Sequence, residues 1–330
     1  MSSEKTANII TQTVDTLSGM ESLKGLFHEH RDGDPLPSAK ALEEIIELAR
    51  AILFPGFYGH SSVKFHTIKY QIGVNLERLH KLLSQQILAG LCFSEETKDK
   101  DTENRECGCS QGADSAICLT TASNLATQLI AKLPEIRSIL ATDVEAAYNG
   151  DPAALSQGEI ISCYPVIKAL INYRIAHELM NLGVPLIPRR ITEMAHSETG
   201  IDIHPAATIG HHFTIDHGTG VVIGATCIIG NNVKLYQGVT LGAISFPLDD
   251  NGNPIKGIPR HPILEDNVVI YANATILGRI TIGNGCVVGA NVWVTRDMKP
   301  NTRKYNKEKI DKLDIVFNLN GSPWSPGALR

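Results

Sequence analysis

Two pairs of neighbouring residues combine a histidine with a charged side chain, Asp216-His217 and Arg260-His261. A neutral imidazole has the basicity needed to take a proton from a hydroxyl at neutral pH, and a guanidinium can pair with a carboxylate. Each pair adjoins an interruption of an otherwise regular sequence repeat. Because regular positions of a repeat serve to stack, whereas irregular polar positions are available for chemistry, we predict that both pairs belong to a functional site.

The interrupted repeat places an aliphatic residue at every sixth position. Its members are Ile203, Ile209, Ile215, Ile223, Ile229, Leu235, Leu241, Leu264, Ile270, Ile276, Ile282, Val288 and Val294. A helix repeats at about 3.6 residues and a strand at about 2, so a sustained period of six indicates neither of them. It predicts a parallel β-helix of hexapeptide type, in which short flat faces form a prism and the aliphatic side chains point inward.

The repeat fails at two places. The step from Ile215 to Ile223 is eight residues, and the step from Leu241 to Leu264 is twenty-three. The second segment is rich in Gly, Pro, Asp and Asn, so we expect residues 243–262 to form a loop outside the coil. The two histidine pairs lie at these interruptions.

Helical patterns fill the chain before the repeat. Predicted helices cover residues 38–53, 71–91, 116–132, 134–148, 165–182 and 189–196, with Ser38 as a helix cap and a new helix starting at Pro134. The predicted fold is therefore α+β, with three parts. These are a helical assembly and substrate domain over residues 1–196, a β-helix catalytic domain over residues 197–296 and a C-terminal tail over residues 297–330.

Composition excludes several classes of protein. The 330-residue chain has a net charge of −5 and no basic run, which argues against nucleic acid as a principal partner. It has neither an apolar run that could span a membrane nor a signal peptide, so we expect a soluble cytoplasmic protein.

Seven cysteines, an odd number, argue against a secreted disulfide framework. Cys107, Cys109 and Cys118, with Cys92 before them, are expected to be reduced thiols around an exposed polar loop, although a zinc site is an alternative there. Three others, Cys163, Cys227 and Cys286, are expected in the core.

Several motifs in order resemble the serine O-acetyltransferases. They are Asp151-Pro152-Ala153, Tyr173-Arg174-Ile175-Ala176-His177, Asp202-Ile203-His204-Pro205, Asp216-His217-Gly218-Thr219-Gly220, Gly238-Val239-Thr240-Leu241-Gly242 and Arg260-His261-Pro262. This resemblance implies a left-handed β-helix and transfer of an acetyl group from acetyl-CoA to L-serine, the first step of cysteine synthesis. It also implies a trimer or a dimer of trimers, with no metal required.

His217 is the candidate base, because a serine hydroxyl needs a base to become a nucleophile. Asp202 lies fifteen residues earlier, close to the length of one coil, so we expect its carboxylate to meet His217 and stabilise the imidazolium. Direct attack of the hydroxyl on the thioester is expected, without an acyl-enzyme.

The resemblance assigns the remaining roles. Arg260 is expected to bind the serine carboxylate, Asp151 and Asp216 its ammonium group, and His261 to contact the substrate. If Asp151 has only a structural role, we expect it to cap a helix. The groove for the pantetheine arm of acetyl-CoA is expected along Gly242, Ala243, Ala272, Gly278, Gly289 and Ala290.

Three features depart from the family pattern. Ala225 stands where these enzymes commonly have Glu, and residues 244–259 form a longer loop than usual. The sequence ends at Leu329-Arg330, whereas relatives that dock into cysteine synthase end in isoleucine, so we do not expect that partnership.

Two other functions remain open from the sequence. One is acetyl transfer to another hydroxyl or amine, such as homoserine or an amino sugar. The other is a metal-dependent hydro-lyase of the γ-carbonic anhydrase type, with His212, His217 and His261 as ligands.

Overall fold

The computed structural model describes residues 3–24, 26, 35–59, 63–95 and 113–306. The chain divides into two compact units, and the first, residues 1–35, contains α1 (Ser3–Ser18) and α2 (Met20–Leu23). The second unit begins at Leu36 and carries every candidate site residue. Cys107, Cys109 and residues 307–330 lie outside the described residues. None of the described helices is long and apolar enough to cross a membrane.

Within the described residues of the second unit, six helices precede the first strand. They are α3 (Ala39–Leu53), α4 (Ile68–Glu95), α5 (Ala113–Gly150), α6 (Gln157–Cys163), α7 (Pro165–Asn181) and α8 (Ile187–Thr199). The predicted cap of α3 is confirmed, because the Ser38 hydroxyl accepts a hydrogen bond from the Ala41 amide. α8 ends at Gly200 in the left-handed conformation, which turns the chain into the β-helix.

The predicted start of a new helix at Pro134 is wrong, since α5 runs through this residue without interruption. A proline inside a helix removes one backbone hydrogen bond. Leu133, Ile136 and Leu140 beside it are buried, and we attribute the continuity of the helix to their packing. As a result, a single helix connects residue 113 with the region of Asp151.

The cysteine predictions are partly wrong. Cys163 is exposed at the end of α6, and Cys92 and Cys118 are buried on α4 and α5 rather than exposed. Cys227 and Cys286 are buried, as predicted.

The six-residue repeat forms three parallel sheets. The first face contains β1 (Asp202–Ile203), β4 (Val222–Ile223), β7 (Thr240–Gly242), β10 (Thr275–Leu277) and β13 (Trp293–Val294). The second contains β2 (Thr208–Ile209), β5 (Ile228–Ile229), β8 (Ile263–Leu264) and β11 (Thr281–Ile282), and the third contains β3 (Thr214–Asp216), β6 (Lys234–Tyr236), β9 (Val269–Ile270), β12 (Val287–Val288) and β14 (Arg303–Lys304). Every aliphatic residue of the repeat is buried. The predicted fold class, helices followed by a left-handed parallel β-helix, is confirmed.

The strand pairing shows where residues leave the coil. Val222 pairs with Thr240, an advance of 18 residues, which is the regular coil. The advance is 20 residues from Asp202 to Val222 and 35 from Thr240 to Thr275. The extra residues of the first step widen the turn at 217–221, and those of the second form the loop between β7 and β8.

Residues after 296 extend the β-helix. Ile282 forms a parallel bridge with Met298, and β14 pairs with β12. Met298 is buried in the core. The first residues of the expected tail therefore form a last partial coil.

A buried ion pair joins the helices to the β-helix. Asp143 on α5 accepts hydrogen bonds from Arg174 Nε at 2.8 Å and from the Phe213 amide at 3.0 Å. Arg174 on α7 also donates to the carbonyls of Ile209 and Gly210. Both side chains are buried. This one pair thus connects two helices to a turn of the β-helix.

We expect Asp143→Ala to lower the free energy of unfolding by about 3–5 kcal/mol, because it leaves the Arg174 guanidinium buried without its counterion. The measurement is urea unfolding at one fixed protein concentration, since association would change the apparent stability. Glu135→Ala on the exposed side of α5 is the control, with an expected change within about 0.5 kcal/mol. Equal losses in the two variants would contradict this role of the pair.

Candidate active site

Apart from Asp202 on β1, the predicted site residues of the β-helix lie along two of the three edges at which the faces meet. We define the carboxylate edge as the turns that follow the third face, residues 217–221, 237–239, 271–274 and 289–292, together with Asp216. We define the histidine–arginine edge as the turns that follow the first face, residues 204–207, 224–227, 243–262 and 278–280, together with Gly242. In one chain these edges are separated by the first face, about four extended residues or roughly 13 Å.

His217 lies on the carboxylate edge immediately after β3. Its φ is 58°, and Gly218 follows with a φ of 98°, so the chain turns outward at these residues. The His217 side chain is 78% exposed, and its Nε2 lies 3.8 Å from Asp216 Oδ1. An exposed imidazole beside a carboxylate is accessible to a substrate hydroxyl.

Lys234 holds the other oxygen of the same carboxylate. Its Nζ lies 3.0 Å from Asp216 Oδ2 and donates to the Gly150 carbonyl at 2.7 Å. Its charge also lies 4.5 Å from the centre of the Tyr236 ring, which stacks on Tyr271. Lys234 therefore connects β3 to the end of α5, immediately before Asp151.

Asp151 does not cap a helix, because α6 begins at Gln157 with Ser156 as its cap. The Asp151 carboxylate instead accepts hydrogen bonds from the Ala153 amide at 2.8 Å and from the Tyr164 hydroxyl at 2.5 Å. The Tyr164 and Ala153 hydrogen bonds lower the pKa of Asp151, with weaker contributions from Lys234 and His217. The bond to the same carboxylate raises the pKa of Tyr164 to about 12. The structure thus brings Asp151, Asp216 and His217 to one edge.

His261 lies on the histidine–arginine edge, and only 7% of its surface is exposed. A Cβ at Gly224 would lie 2.0 Å from the ring carbon Cδ2, so the imidazole packs directly on the glycine backbone. Burial, followed by the charge of Arg260, lowers the pKa of His261 to about 4. The ring is therefore neutral at neutral pH.

Arg260 precedes this histidine, and its guanidinium lies 5.9 Å from the centre of the Phe246 ring in the loop. Among the described residues, its buried Nε has no hydrogen-bond partner. An unpaired buried donor on a cation favours an anionic ligand such as a carboxylate.

Asp202 lies on β1 and forms no hydrogen bond or ion pair with His217 in the described part of the chain. Its carboxylate is 3.9 Å from Arg189 Nη1. The turn that carries His217 nevertheless lies against the neighbouring residue, because a Cβ at Gly218 would be 2.5 Å from Ile201 Cδ1. The turn that carries His217 thus lies close to the start of β1, without a direct contact between the two predicted partners among the described residues.

The residues expected along the pantetheine arm also divide between the edges. Gly242, Ala243 and Gly278 belong to the histidine–arginine edge, where the Gly278 amide donates to the Gly242 carbonyl at 3.0 Å. Ala272, Gly289 and Ala290 belong to the carboxylate edge. A Cβ at Gly289 would lie 2.6 Å from a ring carbon of Tyr305, so the last coil covers this glycine.

Four residues that hold these groups by hydrogen bonds or ion pairs were not among the predicted site residues, namely Tyr164, Thr226, Lys234 and Arg279. Arg279 follows His261 by one 18-residue coil, so the coil length could have identified it, whereas Lys234 pairs with Thr214, because the coil between β3 and β6 contains 20 residues. The hydrogen bond from Tyr164 to Asp151 joins the end of α6 to the loop before it and has no periodic signal.

The ligand set of the hydro-lyase hypothesis does not form within one chain. Among the described residues, the single group of three close metal-ligand side chains contains Glu193, His196 and Asp202, and it includes none of the three histidines of that hypothesis. The Arg189 guanidinium already pairs with Glu193 and approaches Asp202.

Residues 261–296 match the model of the family described as bacterial transferase hexapeptide (six repeats). Together with the three-faced coil, this match defines a hexapeptide-repeat transferase.

More specific similarities exist over most of the chain. A plasmid-encoded serine acetyltransferase of Synechococcus elongatus is 49% identical over 264 residues, 80% of either chain. The crystal structure of serine acetyltransferase 1 from Entamoeba histolytica in complex with L-cysteine is 34% identical, with a TM-score of 0.66 over 88% of this chain and 94% of that one. Isoform 3 from the same organism, in complex with cysteine, is 35% identical over 80% of this chain and 81% of that one, with a TM-score of 0.62. The chain belongs to the serine acetyltransferase family.

The low pKa of His261 predicts a pH-dependent contribution to stability. Unfolding returns the imidazole to its ordinary pKa of 6.5, whereas the folded ring takes up a proton only near pH 4. As the pH falls from 6.5 to 4, the unfolded chain therefore binds a proton that the folded chain does not, and stability is lost at up to about 1.4 kcal/mol per pH unit.

We expect His261→Asn to weaken this pH dependence, since it removes the titrating ring and keeps an acceptor near the position of Nδ1. The measurement is the free energy of unfolding at several pH values for wild type, His261→Asn and the control His196→Asn. Parallel pH profiles for wild type and His261→Asn would show that His261 does not have the lowered pKa.

Proposed function

We propose that this protein transfers the acetyl group of acetyl-CoA to the hydroxyl of L-serine, giving O-acetylserine and CoA. Membership of the serine acetyltransferase family supports the reaction. The observation that carries the proposal for this chain is the division of charged groups. The carboxylate edge offers two carboxylates and an exposed imidazole, and the histidine–arginine edge offers a guanidinium with an unpaired buried donor.

An amino acid matches these groups. Asp151 and Asp216 bind the substrate ammonium group, and Arg260 binds its carboxylate, so each charge of the zwitterion meets its opposite. Lys234 neutralises one oxygen of Asp216 and leaves the oxygen that faces His217. Ala225, where the family commonly has a glutamate, precedes Thr226 on the histidine–arginine edge.

His217 is the general base. It takes the proton of the serine hydroxyl as the oxygen attacks the thioester carbonyl, and the tetrahedral intermediate then expels the CoA thiolate. The same imidazolium returns the proton to the departing sulfur, so the base is regenerated. Asp202, on β1 close to the turn that carries His217, stabilises the imidazolium when the exposed ring turns toward it.

The two edges of one chain are too far apart to act on one serine molecule. A closed ring of β-helices brings the carboxylate edge of one chain to the histidine–arginine edge of the next, and repeats this interface at each contact. We propose a trimer, alone or paired into a dimer of trimers, in which each site and each groove for acetyl-CoA use residues of two chains.

We expect His217→Ala to lower kcat by at least about a hundredfold, because proton transfer in the transition state loses its base. The assay follows the CoA thiol released from acetyl-CoA in the presence of L-serine. The control is His211→Ala, which should retain activity, because His211 is exposed on the third edge, formed by the turns that follow the second face. If His217→Ala had full activity, His217 would not be the general base. If the wild type released no thiol in response to serine, the proposed function would be wrong.

The shared site predicts complementation between two inactive variants. His217→Ala inactivates the carboxylate edge and His261→Ala inactivates the histidine–arginine edge. A mixed ring therefore contains an interface in which both histidines are wild type. After random mixing of equal amounts, doubly tagged trimers should have about a third of wild-type activity, because one of their three sites is intact, and doubly tagged hexamers about a quarter. Co-expression with two affinity tags and thiol-release assays of the doubly tagged fraction provide the measurement. If doubly tagged oligomers were as inactive as either parent, a site within one chain would be indicated.

Acceptor choice is tested in the same assay. L-serine, homoserine and an amino sugar are compared at equal concentrations of acetyl-CoA. Because Asp151 and Arg260 match the two charges of an amino acid, kcat/KM should be highest for serine and lowest for the sugar. A preference for the sugar would favour the alternative acetyltransferase function.

A further inference from the structure

The Thr226 hydroxyl makes all the hydrogen bonds that a hydroxyl can make. It accepts from the backbone amides of Arg260 at 2.9 Å and His261 at 3.1 Å. A hydroxyl has two acceptor positions and one donor, so these two amides leave only its proton. The remaining partner is Nδ1 of His261, 2.9 Å away, and the hydroxyl must therefore donate to it.

A second donor reaches the same ring nitrogen. The backbone amide of Thr226 lies 3.1 Å from His261 Nδ1 and can only donate. Nδ1 consequently carries a lone pair, and the proton of the neutral imidazole resides on Nε2. The tautomer therefore follows from two groups, the Thr226 hydroxyl and the Thr226 amide, which both donate to Nδ1 and cannot accept a proton from it.

The ring is also held in place by its surroundings. Gly224 provides a flat surface without a side chain beneath it, since a Cβ there would lie 2.2 Å from Nε2. Arg279 Nη1 donates to the carbonyls of Thr226 at 2.6 Å and His261 at 3.0 Å and so joins the two segments. A turn of one coil and the end of the loop are therefore fastened to each other around the imidazole.

We propose that Thr226 is a positioning residue that keeps His261 in the neutral tautomer with the proton on Nε2. His261 then presents a hydrogen-bond donor to the substrate, whereas His217 acts as the base. This inference rests on the proposed function only for the use of the donor, and the tautomer itself is independent of the reaction. Two histidines at one site thus take different roles because, among the described residues, donors occupy Nδ1 of His261 but not Nδ1 of His217.

The tautomer is measured first, on the full chain with 15N-labelled histidine and without substrate. The expected spectrum of wild type shows one ring with an unprotonated Nδ1 and a protonated Nε2, assigned by its loss in His261→Asn and unchanged from pH 8 to about pH 5. A protonated Nδ1 in wild type would overturn the proposal without any Thr226 variant.

Thr226→Val keeps the shape of the side chain and removes the hydroxyl, whereas Thr226→Ser keeps the hydroxyl. In the valine variant Nδ1 keeps one donor, the backbone amide of residue 226, so we expect the Nε2-protonated tautomer to lose part of its population and the pKa of His261 to move closer to its ordinary value. We also expect a roughly ten- to hundredfold lower kcat/KM for serine with an unchanged KM for acetyl-CoA. The serine variant should resemble wild type in each respect.

Thr142→Val is the matched control. Its hydroxyl also accepts a backbone amide, that of His212 at 2.9 Å, and donates to a carbonyl, that of Ile139 at 2.7 Å, but at the third edge. If Thr226→Val and Thr142→Val lowered kcat/KM equally, or if Thr226→Val kept the wild-type tautomer, Thr226 would not be a positioning residue. If Thr226→Val did not fold, the tautomer of His261 would be measured in Thr226→Ser. A tautomer different from that of wild type would then overturn the proposal. Absence of serine-dependent activity in wild type would refute the proposed function but not the tautomer.

Discussion

The length of one coil constrains the whole β-helix. Where the stack is regular each coil contains 18 residues, because the inward aliphatic side chains of successive coils must lie above one another. Any additional residue must leave the coil at an edge, where backbone and side chains face outward. The turn with His217 and the loop that ends in Arg260-His261 are such departures. The regular stacking that forms the core therefore also forces the extra residues, which include those of the candidate site, to the surface.

The helices contribute to the same site through a small number of polar contacts. The Asp143–Arg174 pair holds α5 and α7 against the turn before β3, and Lys234 binds the Gly150 carbonyl at the end of α5. These two contacts fix the position of the end of α5, and therefore the position of Asp151 relative to Asp216. Buried charges are stabilising only when they are fully paired, and here the backbone amide of Phe213 and the carbonyls of Ile209 and Gly210 complete the pairing.

Much of this architecture could be predicted from the sequence because the repeat has a period that no helix or strand shares. The same period located His217 and His261 at its interruptions. Prediction failed where tertiary packing decides: Pro134 lies inside a helix held by its buried neighbours, and Asp151 forms a bond with Tyr164 instead of capping α6. The division of the predicted residues between two edges is contained in the period, since with three hexads to a coil Ile215 belongs to the third face and Leu241 to the first. The position of Asp202 beside Arg189, by contrast, depends on how α8 packs.

The loop between β7 and β8 has a consequence for how this protein can change. Its two ends, Gly242 and Ile263, belong to strands that the stack holds in place, so its closure is already enforced by the core. Lengthening such a loop costs little, about 0.6 kcal/mol for each doubling of its length. Insertions and deletions there can alter the surroundings of Arg260 and Phe246 while the prism keeps its register. The surroundings of the proposed site can therefore change with little effect on the core that determines thermal stability.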